Sequence, residues 1–187
     1  GLGVGNYKLK VTADEDTTHS GATGYGSVVV SKATPALTVE DISDIAYGDE
    51  SINIVANYNG NYTVVVGDGE PITVTGVVAG VAKSVNIGKL DANDYIVKVK
   101  FNGNENYTES AVVSKNLTVN KANVHVTITA SDVTYPGDVV VTVESDVAGN
   151  YSLFVGTSSP RYVVLEAGVA SDVSFAGLDA GTYEFTV

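Results

Sequence analysis

The sequence predicts an all-β chain made of tandem β-sandwich repeats of about 88 residues. Three observations lead there. The composition favours strands, short segments alternate between apolar and polar residues, and one set of motifs returns at a fixed interval. Apolar residues make up 44% of the 187, with Val, Ile and Tyr prominent, Thr and Gly plentiful, and Cys, Met and Trp absent. β-Branched and aromatic side chains suit a pleated, half-buried surface. Helical periodicity is missing, whereas alternation bounded by turn residues recurs about every 8–12 residues, the pattern of an all-β fold.

The interval is set by tyrosines. Gly1-Leu2-Gly3-Val4-Gly5-Asn6-Tyr7 aligns with Lys89-Leu90-Asp91-Ala92-Asn93-Asp94-Tyr95 and with Gly177-Leu178-Asp179-Ala180-Gly181-Thr182-Tyr183. Tyr47-Gly48-Asp49 is echoed by Tyr135-Pro136-Gly137-Asp138, and Asn61-Tyr62-Thr63 by Asn150-Tyr151-Ser152. Ser31-Lys32-Ala33 matches Asn120-Lys121-Ala122 and marks the joints. These anchors divide the chain into the C-terminal strands of one repeat (1–33), a complete repeat (34–122) and a repeat lacking its last strand (123–187). A unit of this length encloses its own core, unlike the shorter repeats of a solenoid.

Within the complete repeat, strands are expected near 36–40, 51–57, 61–67, 71–75, 84–88, 94–101 and 111–119. In the sixth, Tyr95, Val97, Val99 and Phe101 should face inward and Lys98 and Lys100 outward. Its copies predict Tyr7, Leu9 and Val11 inward, and likewise Tyr183, Phe185 and Val187. Gly-Asp-Gly at 67–69 and Asn-Gly at 102–103 carry turn chemistry that tolerates positive φ. Seven short strands indicate an immunoglobulin-like sandwich, and Leu90, Asp91 and Tyr95 sit where such a sandwich has its tyrosine corner. Tyr7, Tyr95 and Tyr183 are therefore expected to bond backbone a few residues upstream, the alternative being ordinary buried tyrosines that open a strand.

Lys-Ala-Thr-Pro-Ala-Leu-Thr-Val at 32–39, Asp-Ile-Ala-Tyr-Gly-Asp at 44–49, Leu-Asp-Ala-x-x-Tyr at 90–95 and Phe-Asn-Gly-Asn-Glu-Asn-Tyr-Thr at 101–108 form a joint pattern. It resembles the bacterial-Ig-like repeats of adhesin-like surface proteins of methanogenic archaea. The resemblance spans the middle repeat and, more loosely, both flanks. It weakens at Ala13-Asp14-Glu15-Asp16-Thr17-Thr18-His19, where the pattern has Asn-Tyr, and at Tyr135-Pro136-Gly137-Asp138. It implies a long, rod-like protein on the outside of a cell, with repeats serving as stalk or contact modules and no catalytic residues or cofactors.

The remaining sequence narrows the function classes. A net charge of −12, with a single arginine at Arg161, provides no phosphate-binding surface for nucleic acid and little attraction to anionic lipid. No apolar run is long enough to span a membrane in this segment. Without cysteine there are no disulfides and no thiolate metal sites. His19 and His125 stand alone, so neither a Ser–His–Asp arrangement nor a metal-ligand set can be built, and no enzyme is expected. Asn61, Asn106, Asn116 and Asn150 each open an Asn-x-Ser/Thr acceptor for N-glycans.

The acidic groups Asp14-Glu15-Asp16, Asp41 with Asp44, Asp49-Glu50 and Asp68 with Glu70 read as solvated turns, with Ca²⁺ as the alternative occupant. The 187 residues read first as a window on a longer repetitive polypeptide, because residues 1–11 duplicate a strand that a donor would not need. The alternative is that the third repeat, without a seventh strand, presents an open sheet edge filled by residues 12–31 of another chain. Partners are then neighbouring repeats or copies of the chain in a fibre, or a host or microbial surface ligand. Tyr162 and Val163-Val164 are the place where the third repeat could carry such an adhesive patch.

Overall fold

The computed structural model describes residues 1–156 and 158–187, and all their regular structure is β-strand. The chain divides into two compact units, Gly1–Ala122 and Asn123–Val187.

The first unit opens with an antiparallel ribbon, β1 (Gly5–Ala13) and β2 (Ala22–Val30). A β-sandwich follows, with β3 (Ile45–Ala46), β4 (Ser51–Ile54), β5 (Gly60–Val66), β6 (Ile72–Val77), β7 (Lys83–Asn86), β8 (Asp94–Phe101) and β9 (Val113–Asn120). One sheet runs β3-β9-β8-β5-β6, and β4 pairs with β7 in the other. A single bridge from Val39 to Ala56 extends the second sheet. Alternation places Val97, Val99 and Phe101 of β8 in the interior and leaves Lys98 in solvent, because successive side chains leave a strand on opposite faces. They meet Ile52 and Ile54 of β4, Tyr62 and Val64 of β5, Val85 of β7 and Leu117 of β9 in one core.

Two expectations are corrected here. The strand predicted at 36–40 reduces to the Val39 bridge, and the outer pairing falls instead to β3, which runs parallel to β9 through Ile45–Val119 and Ala46–Asn120. The inward face predicted for Tyr7, Leu9 and Val11 has nothing opposite it. Tyr7 is half-buried, while Leu9 is 49% and Val11 72% exposed. Alternation fixes which side chains share a face, but only a second sheet can cover that face.

The second unit is a smaller sandwich. β10 (Val126–Ala130), β11 (Val139–Ser145) and β14 (Ser171–Phe175) form one sheet in the order β10-β11-β14. β13 (Arg161–Leu165), β12 (Gly149–Val155) and β15 (Phe185–Thr186) form the other, in the order β13-β12-β15. Its core is Val141, Val143, Leu153, Val155, Leu165 and Phe175, six buried residues against fifteen in the core of the first unit. The inward row predicted for Tyr183, Phe185 and Val187 is also corrected. Only Phe185 is partly covered, with Tyr183 38% and Val187 40% exposed. β15 is two residues long and pairs with β12 at Phe154–Thr186 and Val155–Phe185.

The smaller core sets the order of melting. Thermal unfolding should show two transitions, the lower belonging to Asn123–Val187. Leu153→Ala should lower that transition and Leu117→Ala the upper one, each by about 2–5 kcal/mol, while Leu9→Ala changes stability by less than about 0.5 kcal/mol. Calorimetry of the three variants checks this.

Candidate functional site

Tyrosines that close turns in front of strands recur throughout the chain. The hydroxyl of Tyr7 donates to the Gly3 carbonyl at 2.8 Å, that of Tyr95 to Asp91 at 3.0 Å and that of Tyr183 to Asp179 at 3.0 Å. Each bond spans four residues and ties down the turn before the strand, giving a backbone acceptor a partner that would otherwise be water. Tyr95 is half-buried rather than enclosed, with its ring against Gly67. A Cβ at Gly67 would lie 3.2 Å from the ring, and φ is +57° there, so glycine meets two demands at once.

Sequence reasoning missed a second set of the same geometry. Tyr62, fully buried, donates to the Tyr58 carbonyl at 2.7 Å, and Tyr151 donates to Val147 at 2.6 Å while its hydroxyl also meets Ser145 Oγ at 2.7 Å. The available signal was Gly-Asn-Tyr at 60–62 and again at 149–151. Gly60 is required because a Cβ there would come within 2.7 Å of the Phe101 ring.

The joint between ribbon and sandwich is a second polar cluster. Ala33 bridges in parallel to Tyr107, its N–H donating to Asn106 and its carbonyl accepting from Thr108, both at 2.9 Å. Lys32 Nζ donates to the Asn104 carbonyl at 2.7 Å. Asn104 Oδ1 in turn accepts from the N–H groups of Asn106 and Tyr107, which shapes the receiving loop. That loop is anchored in the core through rings: Tyr107 meets Tyr58 edge-on at 4.9 Å, and Tyr58 stacks on Phe101 at 5.6 Å. The Lys-Ala signature at the joint therefore has a structural use that spacing alone did not disclose.

The four glycan-acceptor asparagines are all exposed. Asn106 lies in the joint loop, Asn61 and Asn150 lie on the paired positions of β5 and β12, and Asn116 lies on β9. Asn61 Oδ1 accepts from the Gly76 N–H at 3.3 Å.

The acidic groups mostly have partners of their own. Asp16 Oδ1 accepts from the N–H groups of Thr18 and His19 at 2.7 Å each, and these bonds, that of Thr18 first, hold its pKa below the usual carboxylate value. A hydrogen bond from Lys115 Nζ at 2.8 Å, aided by its charge, does the same for Asp41. Asp44 accepts from the Thr118 N–H and Asp49 from the Ala46 N–H. Asp68 and Glu70 lie in the exposed turn after β5. Among the described residues no three His, Cys, Asp or Glu side chains gather as a metal site, and no helix is long and apolar enough to cross a membrane. His125 is exposed and lies just before β10.

In the second unit, Tyr162 and Val164 project from the edge strand β13 at 79% and 73% exposure, whereas Val163 between them turns inward. The register partners of Tyr162 and its counterpart Thr73 are Ser152 and Thr63. The aromatic side chain is thus particular to this copy. The same unit carries an open groove of about 440 Å³ along Val133, Tyr135, Val139, Leu178, Tyr183 and Phe185.

Two outcomes test the tyrosine bonds. Tyr95→Phe should destabilise the first unit by about 0.5–1.5 kcal/mol in denaturant titration. Burial raises the pKa of Tyr62 above its usual value, so the folded form binds that proton more tightly than the unfolded form. Its stabilising contribution is complete below about pH 10 and is lost as pH climbs through the folded pKa. Tyr62→Phe should flatten the alkaline fall in the unfolding midpoint.

No protein-family profile matches the chain, and no curated protein matches it, so the functional reading rests on this geometry and the internal repeat.

Proposed function

We propose that the chain is an extracellular, non-enzymatic surface protein whose immunoglobulin-like repeats work as a rod-like structural or adhesive stalk. The observation that carries this reading is the recurrence, in three copies 88 residues apart, of a tyrosine hydroxyl bound to the carbonyl four residues upstream. A turn-and-strand module repeated at that interval suits length and mechanical continuity better than it suits a single catalytic cleft. The strand order of the middle sandwich supports the immunoglobulin-like assignment. β4 pairs with β7 across the core from β5 and β8, and β9 lies between β8 and the early strand β3. The resemblance to adhesin-like repeats agrees with it, as do four exposed glycan acceptors.

Load through such a stalk would enter near β3 and leave after β9. These strands are parallel neighbours, so tension along the chain pulls Ile45–Ala46 past Val119–Asn120 and loads their hydrogen bonds together in shear. The docked joint at Lys32-Ala33 adds a second point that resists bending where the ribbon meets the sandwich.

A second reading, a pilus-like filament subunit assembled by donor-strand complementation, is favoured by the groove in the second unit. A ligand-binding adhesive module is favoured by the exposed Tyr162 and Val164.

Stretching single molecules between their ends tests the stalk. The middle sandwich should unfold in one step that lengthens the chain by about 30 nm, taking about 3.3–3.6 Å per residue, at a force well above that for the second unit. Gradual extension without a discrete step would remove the stalk reading.

A further inference from the structure

The outer face of the β1–β2 ribbon carries a group of side chains that its copy in the sandwich lacks. Alternation sends Tyr7, Leu9 and Val11 to one side of the ribbon and Lys8 and Lys10 to the other. Lys10 lies opposite Tyr25 and Lys8 opposite Ser27, so a ring, a hydroxyl and two ammonium groups share one face. Tyr25 is 77% exposed, and Lys8, Lys10 and Ser27 are exposed around it. An open cleft of about 430 Å³ lies against Lys8, Tyr25, Gly26 and Ser27.

This face stays in water whatever strands flank the pair. In the complete sandwich, β8–β9 has β5 and β3 beside it and a second sheet across the core, yet Ile96, Lys98, Ser114 and Asn116 on its outer face are all exposed. The residues at those positions differ. By the shared register Tyr25 corresponds to Ser114 and Ser27 to Asn116. By the 88-residue interval Lys8 corresponds to Ile96 and Glu184, and Lys10 to Lys98 and Thr186. The ribbon alone combines two lysines with an aromatic ring, and a ring so exposed adds little to the packing of the fold.

The chemistry of the face selects its ligand. β1 and β2 hold Lys8 and Lys10 and no acidic residue, in a chain of net charge −12. Charges more than about 10 Å away are largely screened at ordinary salt, so the two lysines act as a local cationic spot. Ammonium groups make charge-assisted hydrogen bonds to carboxylates, and the negative face of a phenol ring receives polarised C–H groups. One ring is far less than the ~800 Å² that a protein partner covers, and two lysines are few for a phosphate backbone. A sugar ring that bears a carboxylate suits all three groups: its C–H face on Tyr25, its carboxylate at the lysines, its hydroxyls at Ser27. The acidic turn Asp14-Glu15-Asp16 closes the ribbon beyond Ala13 and repels an anion there, which favours the Lys8 side. We propose that this face binds an acidic polysaccharide built of hexuronic acid residues. The inference rests on the adhesive side of the proposed function and names its ligand class.

Titration calorimetry of the full chain with a galacturonic acid oligomer tests this, a galactose oligomer of equal length being the uncharged control. The acidic oligomer should occupy a single site per chain, bind at least tenfold more tightly than the neutral one, and weaken as salt rises. Tyr25→Ala and the pair K8Q/K10Q should each weaken binding at least tenfold while the unfolding transition of the sandwich stays in place. Ile96→Lys with Ser114→Tyr rebuilds the arrangement beside Lys98 on β8–β9 and should double the stoichiometry. Several results would overturn the proposal: no binding at millimolar oligomer, equal affinity for the neutral oligomer, an affinity unchanged in Tyr25→Ala, or a single-stranded oligonucleotide bound as tightly as the uronate. The single-molecule stretching step needs no ligand, so the stalk reading would stand or fall separately.

Discussion

The pairing of β8 with β9 is the constraint on which the complete sandwich depends. The chain displays that pairing in two conditions. Flanked by β3 and β5 and covered by β4 and β7, it buries Val97, Val99, Phe101 and Leu117 completely. As the isolated pair β1–β2, with the same register, it leaves Leu9 and Val11 in water. Hydrogen bonds between the two strands are not enough to make a core, because a lone ribbon exposes both faces.

The tyrosine bonds act on a smaller scale, at the point where each strand begins. A phenol ring supplies apolar area and its hydroxyl finds a carbonyl four residues back, so one side chain both packs and closes a turn. Tyr62 and Tyr95 do this on the neighbouring strands β5 and β8, each beside a glycine that makes room: Gly60 for Phe101 and Gly67 for Tyr95. The two tyrosine-closed turns thus sit at opposite ends of the antiparallel β5–β8 pair, and the ring cluster of Tyr58, Tyr62, Phe101 and Tyr107 packs at the Tyr62 end. The joint to the ribbon docks on that same cluster, through the bridge of Ala33 to Tyr107.

Much of this was legible in the sequence, for identifiable reasons. The expected span of β8, 94–101, is the observed one because strict alternation and the Lys residues between Val residues leave a single register. The spacing of Tyr7, Tyr95 and Tyr183 located the turns before the strands. β3 escaped notice because two residues carry no periodicity and are held by a partner 74 residues away. The exposure of the first and last copies could not be inferred from alternation, which is blind to what lies across the core. Among the candidate site residues, the sequon asparagines are exposed. The acidic turns carry an internal logic that composition hides: Asp16, Asp44 and Asp49 each cap backbone N–H groups of their own or a neighbouring segment. A carboxylate already accepting such bonds is a turn-former first, whatever charge it adds to the surface.

What differs between the copies carries the remaining functional information. Positions that hold the sandwich together recur with conservative changes: Val64 by Leu153, Val66 by Val155, Tyr62 by Tyr151. The edge strand does not follow that rule. Ile72 and Thr73 of β6 give way to Arg161 and Tyr162 of β13, and the arginine lies over the Phe175 ring at 4.6 Å while the tyrosine points into solvent. Arg161 therefore has a structural partner that accounts for it, whereas Tyr162 and Val164 have none. Solvent-facing apolar residues on an unpaired strand are a liability for a protein that stays alone. Their presence side by side on the outer strand β13 makes that edge the part of the second unit with the clearest apolar contact surface.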